Sequence, residues 1–437
     1  MGVVIMIGQF MLGLSILVGI HELGHMLFAK LFGMRVEKFS IGFGPVLFWY
    51  QGKETKYQFC LLPLGGFVKI SGMVDESLDT ANLNKQPESW EFRSKPTWQR
   101  LLVMLGGIIF NIVLGCVIFS SLTYKYGSQY ISLNKLTHGL YVGEYGERLG
   151  MQNGDMVDEV NGQKVTRLSD LSSLDVLFEE GSSFTVDREG RKINIPLPDT
   201  MIAGLQATNS AFLVPNLPFK VSSVSPGSEA DKAHLKSGDQ ITFINDENVE
   251  VFSDMKDAFN KIKGQDFSMS VLRDGDTVAL KGHLGEKGVL GFIPEMNYQG
   301  IVDTTKYGLI AAIPVGTKDA FMQIIINLKG LAQVFEGKIA ADKAATGIVG
   351  MTKLYGDEFR AKKFWSICGM LSMALALFNL FPVPGLDGGH VVFLLYEMVI
   401  GKKPSIKFQE IALKVGFVLL ITLMLLVNIN DIVKQFN

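Results

Sequence analysis

Cysteine is scarce in this 437-residue chain, which has three: Cys60, Cys116 and Cys368. Two of them lie inside apolar runs, and no two are spaced as Cys-x-x-Cys. A disulfide framework needs several cysteines at regular spacings, and a thiolate zinc site needs closely paired ones. The spacing therefore indicates neither kind of site.

Charge is also scarce, and the two signs balance. Lys and Arg number 41, Asp and Glu number 43, and together they make up 19% of the chain, against about 25% in a typical soluble domain. A net charge of −2 lacks the basic excess of nucleic-acid-binding proteins, so we expect no nucleic acid partner. The 48% hydrophobic content and mean hydropathy of +0.26 argue against both a disordered and a fully soluble protein.

The apolar residues are concentrated in four long runs. A helix needs about 20 apolar residues to cross the hydrocarbon core of a bilayer, so the runs predict four transmembrane helices. The first run does not begin with the basic residues of a signal peptide, and we expect its helix to continue beyond the run. The runs span residues 3–20, 101–122, 364–381 and 411–429.

The first run is followed directly by His21, Glu22 and His25, within the sequence His-Glu-Leu-Gly-His. Residues four apart share a helix face, so both imidazoles can bind one cation, and Glu22 on the adjoining flank can take a proton from water. A charged side chain at the bilayer centre costs about 2.5–3.5 kcal/mol. Three such groups in five residues therefore indicate the HExxH zinc signature and a site for Zn²⁺.

A catalytic zinc site usually has three protein ligands and one open position. The HExxHxxGxxH form is excluded, because Phe28 and Leu31 occupy its last two positions. Glu37 and Glu54 are possible third ligands, and either one would indicate a membrane-anchored peptidase.

Asp387 is a stronger candidate for the third ligand. It lies in residues 379–390, where two prolines and three glycines interrupt the third apolar run. Broken backbone is tolerated at membrane depth where it is buried in protein or lines a wet cavity, and a carboxylate there needs a cation. His390, three residues later, is the alternative ligand.

About 240 mostly polar residues separate the second and third runs, and they contain a repeat at an offset of 84. The pattern resembles PDZ domains, which bind extended peptide by adding it as a strand to a sheet edge. Each copy continues into a polar stretch with helical spacing and then strand-like residues, although one copy could be a spacer. The repeated positions are Gly154, Asp155, Val157, Val160, Asn161 and Val165 in the first copy and Gly238, Asp239, Ile241, Ile244, Asn245 and Val249 in the second.

With the HExxH signature and the segment Asn379-x-x-Pro382-x-Pro384-x-x-Asp387-Gly388, the chain resembles the site-two protease family of intramembrane zinc metalloproteases. The resemblance implies that Asp387 is the third zinc ligand and that Asn379 holds the substrate backbone or the oxyanion. It also implies a membrane-re-entrant β-hairpin at about residues 35–72 that presents substrate as a strand, including Gly65, Gly66 and Phe67. The family's Gly-Pro-x-x-Asn motif is altered here, because this chain has Gly107-Ile108-Ile109-Phe110-Asn111.

The resemblance further implies cleavage of transmembrane segments in single-span membrane proteins that another protease has already shortened. Such substrates would be of the anti-sigma-factor type in envelope-stress signalling, or remnant signal peptides. The alternatives are a membrane-anchored zinc peptidase acting on soluble extracytoplasmic peptides and a PDZ scaffold without enzymatic activity.

The predicted fold class is a polytopic α-helical membrane protein with four transmembrane helices, a membrane-re-entrant β-hairpin and two α+β PDZ-like domains. Lys and Arg in residues 35–100 and 402–407 predict that both loops face the cytoplasm. We therefore expect a multi-pass protein of the bacterial inner membrane, in contact with the lipid bilayer, with the PDZ-like domains in the periplasm and both termini extracytoplasmic. The predicted segments are 1–124, with two helices and the hairpin; 125–218 and 219–305, the PDZ-like domains; 306–363, an interfacial helix and linker; and 364–437, the last two helices.

Overall fold

The computed structural model describes residues 2–73, 86–172, 181–198, 212–337 and 347–436. The chain divides into two compact units. The membrane unit comprises Met1–Gly127 and Lys306–Asn437, and the insert unit comprises Ser128–Thr305.

Seven α-helices and two long strands make up the described part of the membrane unit. The helices are α1 (Gly2–Leu31), α2 (Thr97–Tyr126), α3 (Leu309–Phe335), α4 (Ile348–Tyr355), α5 (Ala361–Asn379), α6 (Asp387–Ile400) and α7 (Ile406–Phe436). The strands are β1 (Val36–Gln51) and β2 (Lys56–Ile70), and a short 3-10 helix covers Phe92–Ser94.

Among the described residues, five helices are long and apolar enough to cross a bilayer: α1, α2, α3, α5 and α7. This is one more than the four predicted helices. The additional helix, α3, lies in the stretch that was predicted to be an interfacial helix and linker. Lys318 and Asp319 interrupt its apolar sequence, so no uncharged run of membrane-spanning length marks it.

Helix α2 is the centre of the membrane unit and packs against α1, α3, α5 and α6. It crosses α1 where two glycines face each other, since a Cβ on Gly24 would lie 2.3 Å from the Gly106 carbonyl oxygen. It approaches α3 equally closely, since a Cβ on Gly316 would lie 2.3 Å from the Ser120 Cα. Small residues allow such close helix crossings. The glycines therefore bring α1 close to the face of α2 that contacts the two histidines.

The beginnings of α1 and α5 lie at the same end of the membrane unit as the ends of α2 and α7. Gln9 Nε2 on α1 donates a hydrogen bond to the Gly356 carbonyl, just before α5 (3.0 Å). The Lys362 ammonium lies 5.5 Å from the centroid of the Tyr126 ring at the end of α2. Asp431 near the end of α7 accepts a hydrogen bond from the backbone of α4 (2.7 Å). Helices α1 and α5 thus run in one direction, and α2 and α7 run in the other.

Strands β1 and β2 form an antiparallel pair with several register shifts, at the position of the β-hairpin expected at about residues 35–72. The strand pair folds back on itself. As a result, residues 38–41 of β1 pair with residues 66–69 of β2 and also with residues 56–59 of β2. Gly42, with a φ of +87°, adopts at the bend a backbone conformation that side chains disfavour. The outer segment of the folded pair, which lies against residues 57–59 of β2, exposes Phe48, Trp49 and Tyr50.

The insert unit contains two four-stranded antiparallel sheets with the same strand order, one in each predicted copy. In both copies the aspartate of the repeated Gly-Asp motif is buried in an ion pair. Arg188 Nε and Arg273 Nε lie 2.7 Å from Oδ1 of Asp155 and Asp239, respectively. The first sheet is ordered Gln163–Lys164, Met156–Val160, Ser183–Arg188 and Arg191–Pro196, and the second Glu247–Asn248, Gln240–Ile244, Asp266–Arg273 and Asp276–His283.

The helical stretch predicted after the motif is present in the second copy as Phe252–Lys261. In the first copy it falls mostly on residues 173–180, outside the described residues. The other strands form three pairs: Ser128–Ile131 with Val302–Thr305, Leu140–Val142 with Leu213–Pro215, and Phe219–Val224 with Phe292–Met296. Two short helices cover Glu144–Arg148 and Glu229–Lys232, and two 3-10 helices cover Leu133–Lys135 and Leu168–Ser172.

Candidate metal centre and active site

His21 and His25 lie on one face of α1, as their spacing predicts, and both side chains are buried. Their Nε2 atoms are 3.2 Å apart, and the rings meet edge to face. Two imidazole nitrogens at this separation can bind a single ion.

Asp387 is brought to the histidines by a turn between α5 and α6. Gly385 has a φ of +96°, and a Cβ on Gly389 would lie 2.6 Å from the Val383 carbonyl oxygen, so the turn is too tight for larger residues. Asp387 is the first residue of α6. Its Oδ2 atom lies 3.1 Å from His21 Nε2 and 3.4 Å from His25 Nε2.

These three donor atoms fit a zinc ion. Zinc bonds to nitrogen and oxygen are about 2.0–2.2 Å long, so adjacent ligand atoms of a tetrahedral ion lie about 3.3–3.5 Å apart. The three observed separations are 3.1–3.4 Å. Within the described part of the chain, Asp387 Oδ2 is buried and makes no hydrogen bond apart from its approach to the two imidazole nitrogens. This position is costly for a carboxylate oxygen unless a cation binds it.

The alternative ligands lie elsewhere. Of the described residues, His21, His25 and Asp387 form the group of His, Cys, Asp and Glu whose donor atoms all lie within 4.8 Å of one another. Glu37 accepts a hydrogen bond from Ser71 (2.9 Å), and Glu54 lines an open cavity at the end of α1. His390 lines a separate cavity of about 180 Å³ near the beginning of α2 and the end of α6.

Helix α2 packs against the Nδ1 side of both imidazole rings. His25 Nδ1 donates a hydrogen bond to the Val103 carbonyl (2.8 Å), which leaves the Nε2 lone pair for a metal. His21 Nδ1 lies 3.1 Å from the side-chain nitrogen of Asn111. Between these residues, Gly107 leaves room for the rings, because a Cβ there would lie 2.5 Å from His25 Nε2. The altered Gly-Pro-x-x-Asn motif marked Gly107 and Asn111 in the sequence but did not predict these contacts, and Val103 carried no such signal. The three residues recur every fourth position on one face of α2.

Glu22 is buried on α1, and β2 lies beside it. A Cβ on Gly66 would lie 2.9 Å from Glu22 Cγ and 2.6 Å from the Ser40 carbonyl oxygen. Of the predicted substrate-binding residues, Gly66 is thus close to the glutamate. Gly65 and Phe67 lie against Phe43, whose ring stacks on that of Phe67 with the centroids 6.4 Å apart.

Asn379, at the end of α5, is buried beside the same centre. Its side-chain nitrogen lies 3.3 Å from His21 Nε2. An amide N–H in this position can donate a hydrogen bond to a group that approaches the metal ligands.

Three metal-donor groups and a buried glutamate, held by apolar helices, are the components of a metallopeptidase embedded in a membrane. Comparison with known proteins agrees with this class. The profile of Peptidase family M50 matches residues 9–423, and the chain belongs to this family, the site-two proteases.

The relatives include a Fusobacterium nucleatum protein named "Putative zinc metalloprotease", which is 28% identical over 437 residues, 99% of each chain. The regulator of sigma E protease of Haemophilus influenzae is 26% identical over 98% of each chain. The chain is a zinc metalloprotease and a membrane protein.

Proposed function

We propose that this chain cleaves peptide bonds inside the transmembrane segments of single-span membrane proteins that another protease has already shortened. The observation that carries the proposal is the group formed by His21, His25 and Asp387, because its donor atoms come from an apolar helix and from a turn packed against apolar helices. Substrates of the anti-sigma-factor type are suggested by the relative that regulates sigma E, and remnant signal peptides have the same single-span form.

The roles of the site residues follow from their positions. His21, His25 and Asp387 would hold Zn²⁺, which, when bound, makes water more acidic and polarises a carbonyl group. Glu22 takes the proton from the attacking water and returns it to the leaving amine. The Asn379 amide donates a hydrogen bond to the oxygen of the scissile carbonyl, where negative charge develops.

Strand β2 has a separate role in presenting the substrate. Peptide bonds in a transmembrane helix are shielded by their own hydrogen bonds, so the substrate must unwind before its carbonyl reaches the centre. Strand addition at the edge near Gly66 would replace the lost backbone hydrogen bonds. The contact of Gly66 with Glu22 supports this location, because it brings the strand to the proposed base.

Gly66→Ala should slow cleavage of every substrate by about 100-fold, the effect of a misplacement of about 1 Å in an active site. The new Cβ would overlap the Ser40 carbonyl, Val18 and Glu22, all at less than 3.0 Å, and would push β2 away from α1. Gly8→Ala on α1 is the matched control, because a Cβ there meets nothing within 4 Å. Equal cleavage rates for both variants on one shortened substrate would show that Gly66 does not take part in presenting the substrate.

The number of membrane crossings is part of the proposal. An odd number of complete crossings would put the beginning of α1 and the end of α7 on opposite faces. Yet Gly2 lies against Asp357, and Asp431 accepts a hydrogen bond from Gly350. Both ends are thus beside α4, which supports four crossings, by α1, by α2, by α5 together with α6, and by α7. Helix α3 then packs on α2 without completing a crossing.

The orientation rests on the basic residues at the opposite end of the membrane unit. Lys30, Arg93, Arg100 and Lys403 lie there, around the end of α1, the beginning of α2 and the loop after α6. Basic residues favour the cytoplasmic face. We therefore infer a bacterial inner membrane protein whose termini and insert unit are periplasmic.

The insert unit would act as a filter on substrate size, with PDZ-like domains at 125–218 and 219–305. All of the proposed site residues lie in the membrane unit, so the insert has no evident part in the chemistry. A protein with residues 128–305 replaced by a short flexible linker should retain zinc and cleave long and shortened substrates at similar rates, whereas the full chain should prefer the shortened form.

The measurement is a parallel assay of both substrates with zinc content determined for each protein. A zinc-loaded deletion variant that no longer cleaves the shortened substrate would show that the insert belongs to the catalytic machinery.

A further inference from the structure

We propose that Asn111 is a positioning residue for zinc binding. Its side-chain oxygen accepts the Nδ1 proton of His21 and thereby keeps the Nε2 lone pair of that ring directed at the metal. The inference rests on the proposed role of His21 as a zinc ligand.

Asn111 is fully buried on α2. Its backbone carbonyl accepts a hydrogen bond from the Ser372 hydroxyl of α5 (2.8 Å), so two helices fix the position of the residue. The side-chain Nδ2 atom lies 3.1 Å from His21 Nδ1. In the described part of the chain, the side-chain Oδ1 atom is buried without a hydrogen-bond partner.

The protonation of a metal-binding imidazole decides which amide atom must face it. A neutral ring that binds a metal through Nε2 carries its proton on Nδ1, and that N–H needs an acceptor. An amide nitrogen cannot accept a hydrogen bond, but the amide oxygen can. A half-turn of the Asn111 amide exchanges two ends of nearly equal size. It places Oδ1 on the His21 N–H, and Nδ2 then takes the buried position that Oδ1 leaves.

His25 already shows this arrangement. Its Nδ1 atom lies 2.8 Å from the Val103 carbonyl oxygen, which can only accept a hydrogen bond. Val103 and Asn111 are eight residues apart on α2, and Gly107 lies midway between them against both rings. One face of α2 therefore supplies an acceptor for each of the two histidines, and the same proton position results on both rings. Such outer partners orient metal-bound imidazoles and raise their basicity.

Two substitutions at Asn111 separate an accepting from a donating role. Asn111→Leu has a similar volume and no acceptor, and we expect its zinc affinity to fall by about 10- to 100-fold. Asn111→Asp can only accept, so its zinc affinity should stay close to that of the unmodified chain. Thr123→Val is the matched control, because it removes another buried polar group of α2, about three turns away from Asn111.

Zinc affinity would be measured on the purified full chain by competition with a chelating dye, and folding by the thermal unfolding temperature. A folded Asn111→Leu variant with unchanged zinc affinity would overturn the proposal. So would an Asn111→Asp variant that loses as much affinity as Asn111→Leu, because the donor end of the amide would then be the important one. His21→Ala identifies a different failure, since retention of zinc by that variant would refute the metal site itself.

A second measurement needs no change at Asn111. In the zinc-loaded chain labelled with ¹⁵N-histidine, the His21 resonances, assigned by their loss in His21→Gln, should show a proton on Nδ1 and none on Nε2. A proton on Nε2 with the metal at Nδ1 would contradict the proposal even if the leucine variant did not fold.

Discussion

Glu22→Gln should lower the rate of peptide-bond cleavage by about 10²- to 10⁴-fold, the usual contribution of general acid–base catalysis, and leave the zinc content unchanged. The glutamine side chain has nearly the same shape, so α1 and its contact with Gly66 should persist. His21, His25 and Asp387 keep their donor atoms. The amide cannot take a proton from water, and this is the one function that the substitution removes.

The measurement is cleavage of a shortened single-span substrate by purified protein, with zinc determined on the same sample. Glu37→Gln is the matched control, because Glu37 lies outside the metal group and contacts Ser71 and Lys69. Turnover near the unmodified rate in Glu22→Gln would exclude Glu22 as the base, and loss of zinc would make it a ligand.

Asp387→Asn should weaken zinc binding and abolish cleavage together. The substitution removes the negative charge whose Oδ2 atom faces both histidines, and a neutral amide oxygen is a poorer zinc ligand than a carboxylate. We expect the affinity to fall by more than the roughly 10- to 100-fold that loss of an outer partner costs. Zinc content after dialysis against a weak chelator measures this effect.

His390→Ala is the comparison for this prediction, because His390 is three residues from Asp387 and lines a cavity away from the metal group. It should keep its zinc. If His390→Ala lost zinc while Asp387→Asn retained it, the histidine would be the third ligand and the proposed centre would be wrong.

The components of the metal centre could be predicted from local sequence. His21, Glu22 and His25 lie within five residues, and helical periodicity alone places the two imidazoles on one face. Asp387 is marked by the prolines and glycines around it. They interrupt a helix in an apolar run, which is tolerated at membrane depth only where the backbone is buried in protein or lines a wet cavity. The structure brings the donor atoms of His21, His25 and Asp387 within reach of one ion. The roles proposed for these residues and for Glu22 stay predictions.

The surroundings of the centre could not be predicted in the same way. The partner of His25 is the Val103 backbone carbonyl, a group that every residue has. The need for glycine at 107 depends on how closely α2 approaches α1, which is a property of packing rather than of local pattern. The contact between Gly66 and Glu22 likewise depends on the folding of β1 and β2.

Helix α3 shows the limit of counting uncharged runs. Lys318 and Asp319 lie in its first half, yet small residues at positions 312, 316 and 320 are buried on its packed face. In the insert, by contrast, the repeat offset of 84 relates two aspartates, Asp155 and Asp239, that form equivalent buried ion pairs. The identification of these units as PDZ domains remains a prediction.

The position of the cut in the substrate tests the central claim most directly. The purified zinc-loaded chain would be placed in lipid bilayers with a shortened single-span substrate, and the products would be identified by mass spectrometry. The proposed function predicts a cut within the membrane-spanning segment of the substrate, which Glu22→Gln does not produce. A cut confined to the soluble residues outside that segment would contradict it.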